Sequence, residues 1–274
     1  MELQEERTVI AMSALELQEP PAFKLLVEDA GTDGCLGHIP ALPGLCFRTA
    51  DVSELENTAP ARIAEYARWL LTEDLGDLTP ATAALTRRVR AGDLSGARVV
   101  IAERREGAPV WESGNPAVLL EYDLEPLEDL AVSAHLRFVR CVLDRMQEMV
   151  APLSARQRAR RPAADRRSLD ETLEHIGNCV WWYCSRIDDD LPEPEDALEE
   201  TPLDRIDRVF AAAEVYLLGV PLSARTAVHV PARFPTADPQ ERWTHTKVCR
   251  RQAEHVWAHL PGLKTAVRGM TPVG

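Results

Sequence analysis

The sequence lacks the features that mark several common classes of protein. It has no apolar run near the roughly 20 residues that a membrane-spanning helix requires. Its first residues, MELQEERTVIAM, are acidic where a signal peptide is basic. Lys and Arg number 31 against 44 Asp and Glu, a formal net charge of −13, which disfavours proteins that grip nucleic-acid phosphates or anionic membranes. We therefore expect a cytoplasmic protein that binds neither membrane nor nucleic acid.

The cysteines lack the CxxC spacing of zinc ribbons and redox motifs, so neither class fits. In a reducing compartment scattered cysteines are usually free thiols, most of them buried as small apolar side chains. We expect this state for all six, which are Cys35, Cys46, Cys141, Cys179, Cys184 and Cys249.

The first half of the chain combines short strand-like runs with helix. Residues 23–28, 98–103 and 117–122 are short apolar runs bounded by Gly, Asp or Pro, which predicts three strands. Residues 52–71 have apolar positions at helical spacing and predict a helix. Pro60 must then lie in the first turn of that helix or mark a kink.

The second half predicts four helices separated by proline-containing loops, the pattern of a helical bundle. The first is centred on residues 136–146, and the others cover about 169–187, 203–218 and 241–260. The fold class is therefore α+β, with a small N-terminal α/β domain in residues 1–127 and an all-α bundle in 128–274. No Gly/Ser linker joins the two, so we expect a fixed interface between them.

Three histidines of the bundle have the placement of metal ligands. The sequence Ser168-Leu-Asp-Glu171 is a capping box that starts the second helix and puts His175 about two turns inside it. His255 and His259 are four residues apart, so both imidazoles lie on one face of the fourth helix. Two ligands from one helix and one from a neighbour leave open coordination positions, as catalytic metal sites require.

Each part of this pattern has a simpler explanation by itself, because single helix histidines are usually core or surface residues. Two segments strengthen the metal interpretation: SLDETLEHIGNCVWWYCSRI (168–187) and WTHTKVCRRQAEHVWAHLPGL (243–263). They resemble the second and last helices of the DinB/YfiT-like superfamily over about 145 residues. The resemblance implies an up-down-down-up four-helix bundle with His175, His255 and His259 as ligands. It also implies a divalent transition metal, namely zinc, nickel, iron or manganese, among which imidazole ligation does not choose.

Candidate catalytic residues lie near these ligands in the sequence. Glu171 is a possible second-shell acceptor or base, although its capping role already explains it. Tyr183 and Arg186 are candidates for lining a pocket above the metal. Cys179, one turn beyond His175, is either a thiolate ligand or a packed core cysteine.

Other neighbours of the site have structural alternatives. Glu254 precedes His255 and is either a neighbour of the site at the border of its helix or a simply solvated residue. His245 is ten residues before His255 and too far along the helix to share a metal with it. Three aromatic residues either line the pocket or belong to the core, and two further histidines stay unassigned: Trp182, Tyr216 and Trp257, then His135 and His229.

The N-terminal segment GCLGHIPALPGLCFRTADVSELENTAPARIAEYARWL (34–70) resembles HicB-type antitoxin domains. Its turn is residues 40–44, PALPG, between two strands and before a helix. The DNA-binding tail of that family is missing, so toxin neutralisation and operator binding are not carried over. The remaining roles are a dimerisation module, which would make a homodimer, or a cap on the bundle's pocket. His38 is expected to be inert.

The leading functional prediction is a metal-dependent enzyme that acts on a small organic substrate, in transferase, isomerase or lyase chemistry. The metal would be a Lewis acid or would activate bound water or thiol. The alternatives are a non-catalytic metal-binding stress or regulatory protein, and a HicB-like interaction module. Fold similarity does not identify a substrate.

Overall fold

A computed structural model describes residues 21–93, 97–106, 114–163, 165–195, 200–233, 236 and 240–270. The fold is mixed α+β, as predicted, with a small sheet near the N-terminus and a largely helical remainder. In the part of the chain that is described, no helix is long and apolar enough to cross a membrane.

The sheet has four strands in the order β3-β2-β1-β4. β1 pairs antiparallel with β2 and parallel with β4, and β2 pairs antiparallel with β3. The predicted strands at 23–28 and 98–103 are confirmed. The bounds are β1 Ala22–Asp29, β2 Cys35–His38, β3 Cys46–Thr49 and β4 Arg98–Glu106.

Two helices accompany the sheet: α1 Val52–Thr72 and α2 Pro80–Arg90. The Asp51 side chain accepts a hydrogen bond from the Glu54 backbone and fixes the start of α1, which confirms the predicted helix. Pro60 lies well inside α1 and not in its first turn.

The strand predicted at 117–122 is wrong. This stretch forms a turn and then a one-turn helix, α3 Glu121–Leu124. Its backbone donors are used locally, since Ala117 N donates to Asn115 Oδ1 and Leu120 N donates to Asp123 Oδ2. The stretch therefore lacks the continuous row of free backbone N–H groups that pairing with a neighbouring strand requires. The apolar pattern reflects packing of Val118 and Leu120 against Leu26 of the sheet.

The described residues of the second half include four long helices and one short turn of helix. Around the ring, α4 contacts α7 and α8, and α6 contacts the same two helices. The bounds are α4 Asp129–Val150, α5 Ala155–Arg158, α6 Leu169–Cys184, α7 Pro202–Gly219 and α8 His245–Arg268.

The last helix differs from its prediction of 241–260 at both ends. Trp243 is still extended, because its backbone pairs with His229 in an isolated bridge. Thr244 caps the helix by accepting from the Lys247 backbone, so α8 begins at His245. The helix continues through Pro261 to Arg268.

One hydrophobic core runs through the sheet and the bundle. At its centre, the Phe138 ring of α4 lies 5.4 Å from Trp69 and 5.9 Å from Trp257, measured between centroids. Gly44 ends the turn of residues 40–44 with a φ of 81°, and a Cβ there would lie 2.1 Å from Phe138 Cε1. The predicted boundary at residue 127 thus falls inside a continuous core.

Candidate metal centre

The capping box at the start of α6 forms as predicted. Ser168 Oγ accepts from the Glu171 backbone at 3.1 Å, and Glu171 Oε2 accepts from the Ser168 backbone at 2.7 Å. These bonds fix the first turn of α6 and therefore the level of His175. The contact between α6 and α8 brings His175 opposite the i, i+4 pair on α8.

The three predicted ligand histidines converge on one point. His255 Nε2 lies 3.3 Å from His175 Nε2 and 3.0 Å from His259 Nε2. One ring nitrogen from each histidine lies within 4.8 Å of the others. His255 is 3% exposed, whereas His175 and His259 are half-buried. The cluster is therefore closed beneath and open on the side of these two rings.

The nitrogen separations fit a shared metal ion. With metal–nitrogen bonds of about 2.0–2.1 Å, tetrahedral ligands lie about 3.3–3.4 Å apart, and ligands at right angles about 2.8–3.0 Å. The observed 3.0 and 3.3 Å fall in this range. Three imidazole ligands suit several divalent transition metals, and the geometry does not choose among zinc, nickel, iron and manganese.

Hydrogen bonds among the histidines account for the cluster less well. A ring nitrogen has either one N–H or one lone pair, directed in the ring plane, so it makes one good hydrogen bond. His255 Nε2 faces two other nitrogens at this distance. Burial, and then the proximity of His259 and His175, hold the pKa of His255 well below its usual range. The ring is therefore neutral, which is the form that binds a metal.

A groove of about 1100 Å³ has Cys179 in its wall, beside the cluster, although none of the three histidines lines it. Cys179 Sγ lies 3.6 Å from Nδ1 and 3.7 Å from Nε2 of His175. The groove runs along the outer side of α6 toward the start of α7, and Glu174, Trp181 and Trp182 also line it. All six cysteines are free thiols, four of them buried, as predicted.

The three candidate catalytic residues have different surroundings. The Tyr183 ring is buried, with its centroid 5.8 Å from that of His255. Glu171 pairs with Arg161, and its hydrogen bonds with Arg161 and Ser168 lower its pKa to about 2. Arg186 is 1% exposed, and its guanidinium donates to the carbonyl oxygen of Trp182.

The remaining partners of Arg186 are also structural. It donates to the Arg233 carbonyl oxygen and to Ser185 Oγ, and lies 3.7 Å from Glu241. Its guanidinium also stacks over the Trp182 ring. Tyr183 is therefore the one of the three whose described contacts include a ring of the cluster.

Behind the histidines lies a buried ionic network that the sequence analysis missed. Glu254, for which solvation was one expectation, is 2% exposed, and its Oε1 lies 2.8 Å from His38 Nδ1. His38, expected to be inert, is fully buried, and its Nε2 lies 3.1 Å from Glu28 Oε1. Both expectations were wrong, because charged side chains of α8 contact Glu28 of β1 and His38 of β2.

The ionisation of this group follows from its neighbours. Burial by itself lowers the pKa of His38, but Glu254 and the hydrogen bonds to both carboxylates outweigh burial and raise it. Burial likewise opposes ionisation of Glu28, yet the bond to His38 holds the pKa of Glu28 at about 2. The His38 ring therefore lies between two carboxylates, with the Arg250 guanidinium 3.1 Å from its Nδ1.

Basic residues of α8 complete the network. Arg250 makes a two-pronged bond to Asp123, 2.8 Å at each prong, and also bonds Glu254 at 3.0 Å. Lys247 Nζ donates to the Pro116 and Arg242 carbonyl oxygens, and burial lowers its pKa to about 7. The available sequence signal was the spacing of Lys247, Arg250 and Glu254 on one face of a helix whose other face presents His255 and His259.

The remaining candidates take structural positions. Trp257 packs edge-on against Tyr66 and Trp69, so it belongs to the core and not to a pocket over the metal. His245 Nε2 lies 2.9 Å from the Leu217 carbonyl oxygen, and His135 Nδ1 lies 2.8 Å from the Ala131 carbonyl oxygen. His229 pairs through its backbone with Trp243, and Tyr216 is half-buried against the core.

No family model, curated protein or solved structure matches this chain. The functional argument therefore depends on the geometry of the cluster and on its surroundings.

Proposed function

We propose that this protein is a metal-dependent enzyme of the DinB-like type that acts on a small organic substrate. His175, His255 and His259 hold a divalent transition metal: zinc, nickel, iron or manganese. The convergence of three imidazole nitrogens, with His255 Nε2 3.0 and 3.3 Å from the other two, carries this proposal. The simpler explanation, that each histidine is an ordinary core residue, does not account for two other imidazole nitrogens so close to His255 Nε2.

The bound metal supplies Lewis-acid polarisation or an activated water or thiol. The chain supplies position and access. His255 is buried and fixes the floor, whereas the half-buried His175 and His259 leave one side open. An open side distinguishes catalytic sites from closed structural sites.

The groove beside Cys179 is the proposed approach of the substrate. It is concave, two tryptophans and several carboxylates line it, and so does Cys179, whose Sγ lies 3.6 Å from His175 Nδ1. Such a mixture of aromatic and polar groups is typical of small-molecule sites. Tyr183 is the proposed positioning group within the site. Catalytic roles for Glu171 and Arg186 stay predictions, since their present partners account for them.

The first test is metal content. Purified protein should contain close to one divalent metal per chain by elemental analysis, and His255→Ala should remove it. His245→Gln is the matched control, because His245 is a buried histidine of the same helix that bonds a carbonyl oxygen. Equal metal content in wild type and His255→Ala, with circular dichroism unchanged, would refute the site.

The second test separates an enzyme from a metal-binding protein without catalysis. Co²⁺ should replace the native metal and give visible absorption bands. Small anions or thiols should shift these bands if coordination positions are open. Bands that stay unchanged at high ligand concentration would indicate a closed site and favour the non-catalytic alternative.

A further inference from the structure

Gln252 has a buried side-chain oxygen that lacks a hydrogen-bond partner among the residues that the structure describes. Gln252 lies on α8, one helical turn before His255, and is 1% exposed. Its amide nitrogen donates to the Val180 carbonyl oxygen at 3.0 Å and approaches Cys184 Sγ at 3.2 Å. Its Oε1 has no hydrogen-bond partner in the described part of the chain. A buried acceptor without a donor destabilises the fold, so its retention calls for an explanation.

The orientation of this amide is determined by its neighbours. Exchanging the oxygen and nitrogen would place two acceptors, Gln252 Oε1 and the Val180 carbonyl oxygen, 3.0 Å apart. Backbone carbonyl groups only accept, so the exchange is unfavourable. The unpaired atom is therefore the oxygen, and the missing partner is a donor.

Once a metal is bound, His255 has a ring N–H that needs a hydrogen-bond acceptor. Its Nε2 faces the other two histidines, so the ring hydrogen is on Nδ1. Metal-ligating histidines almost always donate this second N–H to a carboxylate, carbonyl oxygen or water, which fixes the ring and strengthens the ligand. His255 is 3% exposed, so bulk water does not readily supply the acceptor.

Other side chains on this part of α8 do not provide one. Glu254 is engaged by His38 and Arg250, and Arg251 has only donors. Residues three apart on a helix are neighbours, with Cβ atoms about 5–6 Å apart. Gln252 and His255 thus present one unused acceptor and one N–H within a single turn.

We infer that Gln252 is a positioning residue of the metal centre, whose Oε1 is linked to the Nδ1–H of His255 through one buried water. This rests on the proposed metal site and deepens it. Gln252 then links α6 and α8 through its nitrogen and orients a ligand through its oxygen. It touches neither metal nor substrate.

Two substitutions separate the two functions of this amide. Gln252→Met removes donor and acceptor at nearly constant shape, whereas Gln252→Glu removes the donor and keeps an acceptor. Both should lower the melting temperature of the metal-free protein, because both lose the bond to Val180. Zinc affinity, measured by competition with a chromogenic chelator, should fall about 10–100-fold in Gln252→Met. Gln252→Glu should bind zinc at least as tightly as wild type.

Gln147→Met is the matched control. The Gln147 amide nitrogen donates to the Leu203 carbonyl oxygen at 3.4 Å and links α4 to α7 in the same way. This variant should lose some stability and keep its zinc affinity. Zinc affinity of Gln252→Met within twofold of wild type, or an equal loss in Gln252→Glu, would overturn the inference. Failure of wild type to bind zinc or another divalent metal would instead refute the proposed function.

Discussion

Replacing His38 with leucine tests the buried network directly. The side chain is fully buried between Glu28 and Glu254. Its Nε2 lies 3.1 Å from the Glu28 carboxylate, and its Nδ1 lies 2.8 Å from the Glu254 carboxylate. Leucine has a similar volume and makes neither bond. Glu254 keeps Arg250, and Glu28 keeps the Asn115 backbone N–H.

The expected loss can be worked out from these contacts. Each hydrogen bond to a charged group contributes about 1.5–3 kcal/mol, so two contribute about 3–6. Burial of the leucine returns about 1.5–3 kcal/mol. The net loss is therefore about 2 kcal/mol, which for a chain of this length lowers the melting temperature by roughly 4–8 °C.

Urea unfolding at several pH values measures both the size and the cause of the effect. The pKa of His38 is raised in the folded state. Its stabilisation is therefore complete below about pH 6.5, the usual histidine pKa, and is lost as the pH rises through the raised folded pKa. The difference between wild type and His38→Leu should shrink as the pH increases from 6. Other titrating groups are common to both proteins and largely cancel.

His135→Leu is the matched control. His135 is also buried, but its partner is the Ala131 carbonyl oxygen of its own helix, and burial lowers its pKa. It is a neutral histidine with one ordinary hydrogen bond, so leucine should change stability by no more than about 1 kcal/mol. Equal losses in both variants, or a His38→Leu loss that grows with pH, would refute the reasoning.

Four further predictions follow from the fold. Burial lowers the pKa of Lys247 to about 7. In urea unfolding, the free energy of unfolding of wild type should therefore rise, relative to Lys247→Met, by about 1.4 kcal/mol per pH unit between pH 7 and about 10. A constant difference would contradict this. Gly44→Ala should lose about 2–5 kcal/mol by thermal melting, since its Cβ meets Phe138 at a φ of 81°. Gly92→Ala, with a φ of 76° and nothing within 4 Å, should lose less than half as much. Chelation should lower the melting temperature modestly with helical circular dichroism retained, because the core is apolar; complete unfolding would make the metal structural. Residues 128–274 expressed alone should bind hydrophobic dyes and melt without cooperativity, because Phe138 loses its partners in the first half; a cooperative melt would contradict the shared core.

The histidine cluster was predictable because its determinants are local. A capping box fixes the level of His175 on α6, and the i, i+4 rule places His255 and His259 on one face of α8. Only the contact between α6 and α8 had to be supplied by the fold. The resemblance to a known superfamily suggested that contact, and the apolar face of each helix was consistent with it.

The ionic network was not predictable by the same rules. Glu28, His38, Asp123 and Glu254 lie on four separate elements, and each alone has the appearance of a surface residue. Charged residues are rarely buried without partners, and the partners here are brought together by tertiary packing. The false strand at 117–122 has a related cause, because its apolar residues pack against the sheet without joining it.

The network also imposes an order in time on the chain. His38 and Glu254, which meet at 2.8 Å, are 216 residues apart. At about 5–20 residues per second, a ribosome adds the second roughly 10–40 s after the first. During that interval Glu28 and His38 of the sheet are exposed to water, because α8, which covers them in the folded protein, has not yet been synthesised. A translation product that stops before α8 therefore has an incomplete N-terminal half as well as an incomplete bundle. Its sheet stays exposed to proteases, whereas α8 covers the sheet in the full-length protein.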